Sequence, residues 1–163
     1  MAPAAPPTQH NFMLEAYWTC SDLETESRMK GMEKATRILG FEYEASSPHD
    51  QATGHTTGRV HCAPFKINKF VDKSSPLEVQ ALVTNKMINE GKIAYYANKA
   101  DGTGKIKQFE ITLSKFVIVK VEQTASADAA GVTEWLELTY DKIVMIDVPS
   151  TKQVEYEWTS ALA

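Results

Sequence analysis

Several stretches between Lys92 and Trp158 alternate apolar and polar residues with a period of two, and this pattern constrains the fold more than any other. In Lys105–Leu113, Phe109, Ile111 and Leu113 alternate with Gln108, Glu110 and Thr112. Leu136, Leu138 and Tyr140 alternate with Glu137 and Thr139, and Val154, Tyr156 and Trp158 with Glu155 and Glu157. Successive side chains of a strand point to opposite faces, so these stretches predict strands with one buried and one wetted face. Ile93, Tyr95 and Ala97 line up likewise in Lys92–Lys99, and Ala100-Asp-Gly-Thr-Gly104 supplies a turn. Phe116–Glu122 and Lys142–Val148 are more uniformly apolar and predict separate strands, the first buried on both faces and the second closed by Pro149. Gln123–Gly131 is small and polar, as in a loop.

The N-terminal half is less regular. Asn11–Trp18 suits a first strand, and residues 21–34 are polar and charged, as in a connecting excursion. Thr36–Ala45 resumes strand character, with Leu39, Phe41 and Tyr43 set against Ile38, Gly40, Glu42 and Glu44. The next thirteen residues, Ser46, Ser47, Pro48, His49, Asp50, Gln51, Ala52, Thr53, Gly54, His55, Thr56, Thr57 and Gly58, are rich in turn formers and empty of large apolar side chains. They predict a long loop, and long loops in compact domains are commonly functional. Arg59–Asp72 reads as another strand, in which Phe65, Ile67 and Lys69 alternate with Lys66, Asn68 and Phe70.

One helix is predicted, from about Pro76 to Asn89. Ser75 can cap it, Pro76 takes the first helical position, and Glu78, three residues after the cap, completes a capping box. Val79, Leu82, Val83 and Met87 recur at helical spacing as its apolar face, and Gly91 is placed for a left-handed C-terminal cap. About eight strands, one helix and no βαβ rhythm predict a mainly β protein, an antiparallel barrel or sandwich. The 163 residues suit one domain, with Met1–His10 as an Ala/Pro-rich N-terminal arm and residues 11–163 as the domain. That arm reads as a flexible tail, or as a segment that orders against a neighbouring subunit. It lacks the basic and continuous apolar regions of a secretory signal peptide.

Charge and chemistry exclude several classes of function. A net charge of -4, a pI near 5.6 and dispersed Lys and Arg argue against nucleic-acid binding. The longest apolar runs, such as Phe116–Val119 and Ile143–Ile146, are far too short to span a membrane. Cys20 and Cys62 match neither a disulfide framework nor a zinc motif; two free thiols is the simpler reading, and a bridge between strands the alternative. His10, His49, His55 and His61 lack metal-ligand spacing. His61 and Cys62 are adjacent on a strand and face opposite sides, the wrong geometry for a base and its nucleophile. Gly54-His-Thr-Thr-Gly58 lacks the Lys and helix of a phosphate loop. Asp128 and Glu134 lie in or beside a loop, where solvated charge is the default. No catalytic residue, metal or cofactor is expected, and Tyr95, Tyr96 and Trp135 are candidates for interface anchors or for core packing.

A more specific signal runs from Arg59-Val60-His61 through Pro64 to Lys69-Phe-Val-Asp72-Lys73-Ser74-Ser75-Pro76, where a strand leads into the helix. This string resembles the haemolysin-coregulated protein (Hcp) family, inner-tube subunits of the type VI secretion system, and the likeness extends from about Gly40 to Ser160. The resemblance implies a compact antiparallel β-barrel with one flanking helix, six subunits to a ring and rings stacked into a tube. It also implies assembly in the bacterial cytoplasm and export without a signal peptide by a contracting sheath. The implied partners are further copies of the chain, sheath, spike and baseplate proteins, and effectors carried in the lumen. Ser46–Gly58 matches the family's extended loop, which reaches a neighbouring subunit or ring, and its composition fits a segment that orders on assembly. The alternatives are the tube of a contractile phage tail or extracellular injection system, and a monomeric barrel with an apolar ligand cavity.

Overall fold

The computed structural model describes residues 15–23, 34–99, 101–128 and 131–158. The N-terminal arm, the expected first strand before Glu15 and most of the charged excursion at 21–34 lie outside the described residues. The elements are β1 Glu15–Cys20, β2 Ala35–Glu42, β3 Ala45–Ser46, β4 His61–Cys62, β5 Phe65–Phe70, α1 Ser75–Val83, β6 Ile88–Asn98, β7 Lys105–Thr124, β8 Thr133–Asp147 and β9 Lys152–Glu157. Seven strands form one sheet in the order β5-β2-β1-β6-β7-β8-β9, and β5 also pairs with β8. Six strands therefore close into an antiparallel barrel, the expected fold, with β9 added at its side. β8 serves both parts: Thr133–Leu138 pair with β5, and Lys142–Asp147 with β9. The expected single strand Arg59–Asp72 is two, β4 and β5, because Pro64 has no N–H to give a ladder and interrupts it.

Inward-pointing residues fill the barrel to the axis, with Trp18, Phe65, Ile67, Phe116 and Leu138 among the most deeply buried. The paired strands expected at 105–113 and 116–122 are one twenty-residue strand, β7, and those expected at 136–140 and 142–148 are one strand, β8. The reason is a change of phase without a break. Ile111 and Leu113 are buried before the corner and Phe116 and Ile118 after it, while β8 switches from Leu138 and Tyr140 to Ile143. The pairing nonetheless keeps one register on both sides of the corner, from Phe109↔Asp147 to Ile118↔Leu138. Lys115, with φ 49°, sits at the corner where both strands bend together and exchange faces. Phe116–Glu122 is accordingly half-buried rather than buried on both faces, and Val119 points to solvent.

The helix also differs from expectation. α1 ends at Val83, where Asn85 (φ 50°) takes the left-handed position. Lys86 N–H donates to Ala81 O at 2.9 Å and Asn85 N–H to Leu82 O at 3.2 Å, the bonding pattern of a Schellman stop with Asn in the role usually given to Gly. Ser74, not Ser75, is the N-cap, and its side chain makes no capping bond. The face turned to the barrel is Ser75, Glu78 and Ala81, with Leu77 and Leu82 packed beside them. Val79, Val83 (74% exposed) and Met87 (55% exposed), expected in the core, face outward.

Gly91, expected as the helix cap, lies in the middle of β6 beneath Trp18. A Cβ there would run into the indole ring and come within 2.9 Å of Phe116 Cε1. Trp18 and Phe116 meet edge to face at 5.6 Å, so neither ring can withdraw without breaking that contact. Gly91→Ala is expected to cost about 1–3 kcal/mol by overpacking. Urea unfolding followed by Trp fluorescence should show a lower midpoint at unchanged slope; an unchanged midpoint would contradict this packing.

Candidate functional site

Two features stand out from the barrel: a buried ionic cluster beneath α1 and a protruding arm between β3 and β4. The cluster follows from the alternation of β5. Phe65, Ile67 and Lys69 share the inward face, so the ammonium of Lys69 is fully buried and must be paired. Its Nζ lies 2.5 Å from Glu134 Oε1, 3.0 Å from Asp72 Oδ1 and 3.2 Å from Glu78 Oε2. The turn between β5 and α1 completes the shell. Ser75 Oγ donates to Glu134 at 2.6 Å and accepts from Asp72 N–H at 3.0 Å. Thr36 of β2 donates to Asp72 Oδ2 at 2.9 Å, and Gln123 of β7 to Glu134 Oε2 at 3.0 Å. Strands β2, β5, β7 and β8 and helix α1 therefore converge on one cation.

Burial opposes every charge here, and the outcome differs by residue. For Lys69 burial alone would lower the pKa, but the surrounding carboxylates outweigh it and hold the ammonium above its ordinary value. Burial would raise Asp72 and Glu134, yet hydrogen bonds from Ser74, Ser75, Gln123 and Lys69 bring both below the usual carboxylate range. Glu78 goes the other way. Burial pushes it up to about 7, Lys69 opposes the rise, and the charge and hydrogen bond of Glu134 add to it.

The arm is held by its own bonds. Its base is the β3–β4 pair, Ala45↔Cys62 and Ser46↔His61, with an outer bridge at His49↔Thr56. Thr57 N–H donates to Pro48 O and Asp50 N–H to His55 O, each at 2.8 Å. At the tip Asp50 Oδ1 accepts from the backbone N–H groups of Ala52 and Thr53, both at 2.8 Å, and from the Thr53 hydroxyl. These bonds depress the Asp50 carboxyl below its ordinary value. From Ser46 to Gly58 every residue except the half-buried Ser47 is exposed. The segment expected to order only on assembly is thus a braced hairpin within one chain.

The residues singled out in the sequence fall into two groups. Lys69, Asp72 and Ser75 meet in the cluster, whereas Arg59, Val60, His61, Lys73 and Pro76 are exposed and Pro64 is half-buried. His61 is exposed and Cys62 buried, on opposite faces as expected, and both cysteines are free thiols. Glu134 is corrected from solvated to fully buried. Its signal was present: Glu134 shares the inward phase of Leu136, Leu138 and Tyr140. Tyr95 stacks on Phe41 and Phe109 against the core, and Tyr96 meets Tyr17 edge to face. Trp135 lies on the outer face in an open cleft of about 200 Å³, rimmed by Glu42, Lys66, Lys120, Glu122 and Glu137. Among the described residues no group of three or more His, Cys, Asp or Glu is arranged to hold a metal ion.

A closed six-stranded antiparallel barrel with an added strand, a helix seated on an ionic cluster and a braced arm defines a mainly β, single-barrel protein. Residues 17–146 match the family described as "Type VI secretion system effector, Hcp", and the chain belongs to that family. The family is one of structural, secreted tube proteins and not of enzymes. One relative, the major exported protein of Pseudomonas aeruginosa, is 33% identical over 94 residues, which cover 57% of this chain and 54% of the relative. The chain thus matches about half the length of that relative. Among solved structures, a variant of Hcp1 from the E. coli EAEC 042 pathovar superposes with a TM-score of 0.78 at 21% identity, covering 89% of this chain and 97% of that one. Hcp3 from Pseudomonas aeruginosa gives 0.70 at 21% identity, covering 89% and 98%, and Hcp1 from Salmonella typhimurium 0.72 at 15%, covering 90% and 96%.

Removing the only cation of the cluster leaves three carboxyl groups without it. Lys69→Met is expected to lower stability by about 3–5 kcal/mol, the effect of stranding buried charge. Lys120→Met removes an exposed, solvent-screened pair to Glu122 and Glu137 and should leave stability nearly unchanged. Chemical denaturation of both variants decides the matter; equal small losses would mean that the cluster contributes little.

Proposed function

We propose that this chain is the inner-tube subunit of a type VI secretion apparatus, closing into six-membered rings that stack and leave the cell with effectors in the central lumen. The observation that carries the reading is the arm of a family-matched barrel: Ser46–Gly58 stands off the barrel, and the chain holds it in one shape. A neighbouring subunit in the ring, or in the next ring, is its proposed contact. β9 supports the same reading. Among the described residues it pairs on one side only, and a free strand edge is an aggregation hazard unless a neighbour covers it. A head-to-tail contact that closes by rotation covers it in every copy. The barrel interior is filled by large side chains, so cargo would travel in the ring's lumen and not inside a subunit. That filled interior also speaks against the alternative of a monomeric ligand-binding barrel.

In the assembled machine the partners are further copies of the chain, a contractile sheath, spike and baseplate proteins, and effectors. Light scattering of the purified protein is expected to give the mass of about six 18.1-kDa chains, with closed rings in negative stain. A strict monomer at high concentration would overturn the reading. Asp50→Ala removes the brace at the arm's tip, and exposed substitutions of this kind leave the stability of the subunit nearly unchanged. The ring fraction should fall while thermal unfolding of the subunit stays in place; an unchanged ring fraction would remove the arm from the interface.

A further inference from the structure

Glu78 is the member of the buried cluster whose surroundings do not suit a carboxylate. It is fully buried, and Oε2, although 3.2 Å from Lys69 Nζ, receives no hydrogen bond from it or from any other donor. The hydroxyl that reaches Oε1, Ser74 Oγ at 3.0 Å, also lies 2.5 Å from Asp72 Oδ1. A hydroxyl carries a single proton, and the shorter contact to Asp72 claims it. If ionised, Glu78 then has the nearby Lys69 charge but no hydrogen-bond donor of its own, whereas if protonated it has Glu134 within hydrogen-bond reach. One ammonium against three carboxyls in a site closed to water also leaves negative charge in excess, a condition relieved when two carboxyls share a proton.

We propose that the cluster is a proton-operated latch for α1: a proton on Glu78, donated towards Glu134, seats the helix on the barrel, and loss of that proton loosens the seat. The other titratable or charged groups facing Glu78 are Lys69 of β5, Asp72 of the turn, Glu134 of β8 and the Cys20 thiol of β1, with Asp22 beyond it. Burial raises the Cys20 thiol to about 11, so it stays neutral from acid through neutral pH. The sign follows from linkage. A carboxyl raised from 4.5 to about 7 on folding contributes stability that is complete below 4.5 and is lost as pH rises through 7. Asp72 and Glu134, both lowered, contribute above the ordinary carboxylate range and lose their contribution as pH falls, so their effect lies on the acid side. The latch is tightest between the two limbs.

The test is hydrogen exchange of the α1 amides from Glu78 to Thr84, corrected for the intrinsic pH dependence of exchange, on the full chain between pH 5 and 8. The opening constant is expected to rise about tenfold per pH unit from pH 5 to near 7 and then level off. In Glu78→Gln, which fixes the uncharged state, the same amides should show no such slope. A wild-type helix without the slope, or a variant that retains it, would overturn the proposal. Should the variant fail to fold, the infrared band of a protonated carboxylic acid in the wild type decides instead: present at pH 6 and gone by pH 8 supports the latch, absent at pH 6 refutes it. These readouts do not depend on ring formation, so they stand apart from the test of the tube reading.

Discussion

The buried ammonium of Lys69 is the constraint on which the rest of the structure depends. A cation on the inward face of a barrel strand is tolerated only when charge and hydrogen bonds surround it. Meeting that demand fixes the turn after β5, the placement of α1 and the entry of β8 at one stroke, since Asp72, Glu78 and Glu134 arrive from those three places. The Lys69 to Pro76 stretch of the family signature thus has a physical content: it is the stretch that builds this cation's shell, with Glu134 supplied from β8.

The same demand explains why α1 is turned round. A helix on a barrel ordinarily buries its apolar stripe, and Val79, Val83 and Met87 form one at intervals of four. Here the polar positions Ser75 and Glu78 are drawn inward by the cation and the two valines are carried to the surface, while Met87 lies beyond the end of the helix. Local patterning was outweighed by one electrostatic requirement arising more than five residues earlier in the chain.

Much of the fold was legible because alternation is a local signal. Each strand of the main sheet is foreshadowed by alternation, along with the turn at 101–104 and a helix beginning near Pro76. What was misread has two causes. A phase change was taken for a break between strands, because a corner at which paired strands exchange faces leaves no turn residues behind. Asn85 was passed over as a helix stop in favour of Gly91, whose lack of a side chain serves the packing of Trp18 instead. In the cluster, Lys69 and Asp72 stand out by resemblance but without their purpose, and Ser75 and Glu78 as parts of a helix cap rather than of a cation's shell. Glu134 was missed because proximity to a loop was weighed above its phase in the strand.

The self-bracing of Ser46–Gly58 changes what association demands of this chain. A floppy loop must surrender its conformational freedom at the moment of contact, and each side chain and backbone unit so fixed subtracts from the binding free energy. This hairpin has surrendered that freedom during folding, through Asp50 at its tip and the β3–β4 pair at its base. A second molecule would meet a rigid peg. Encounter would then be limited by orientation and diffusion rather than by a folding step.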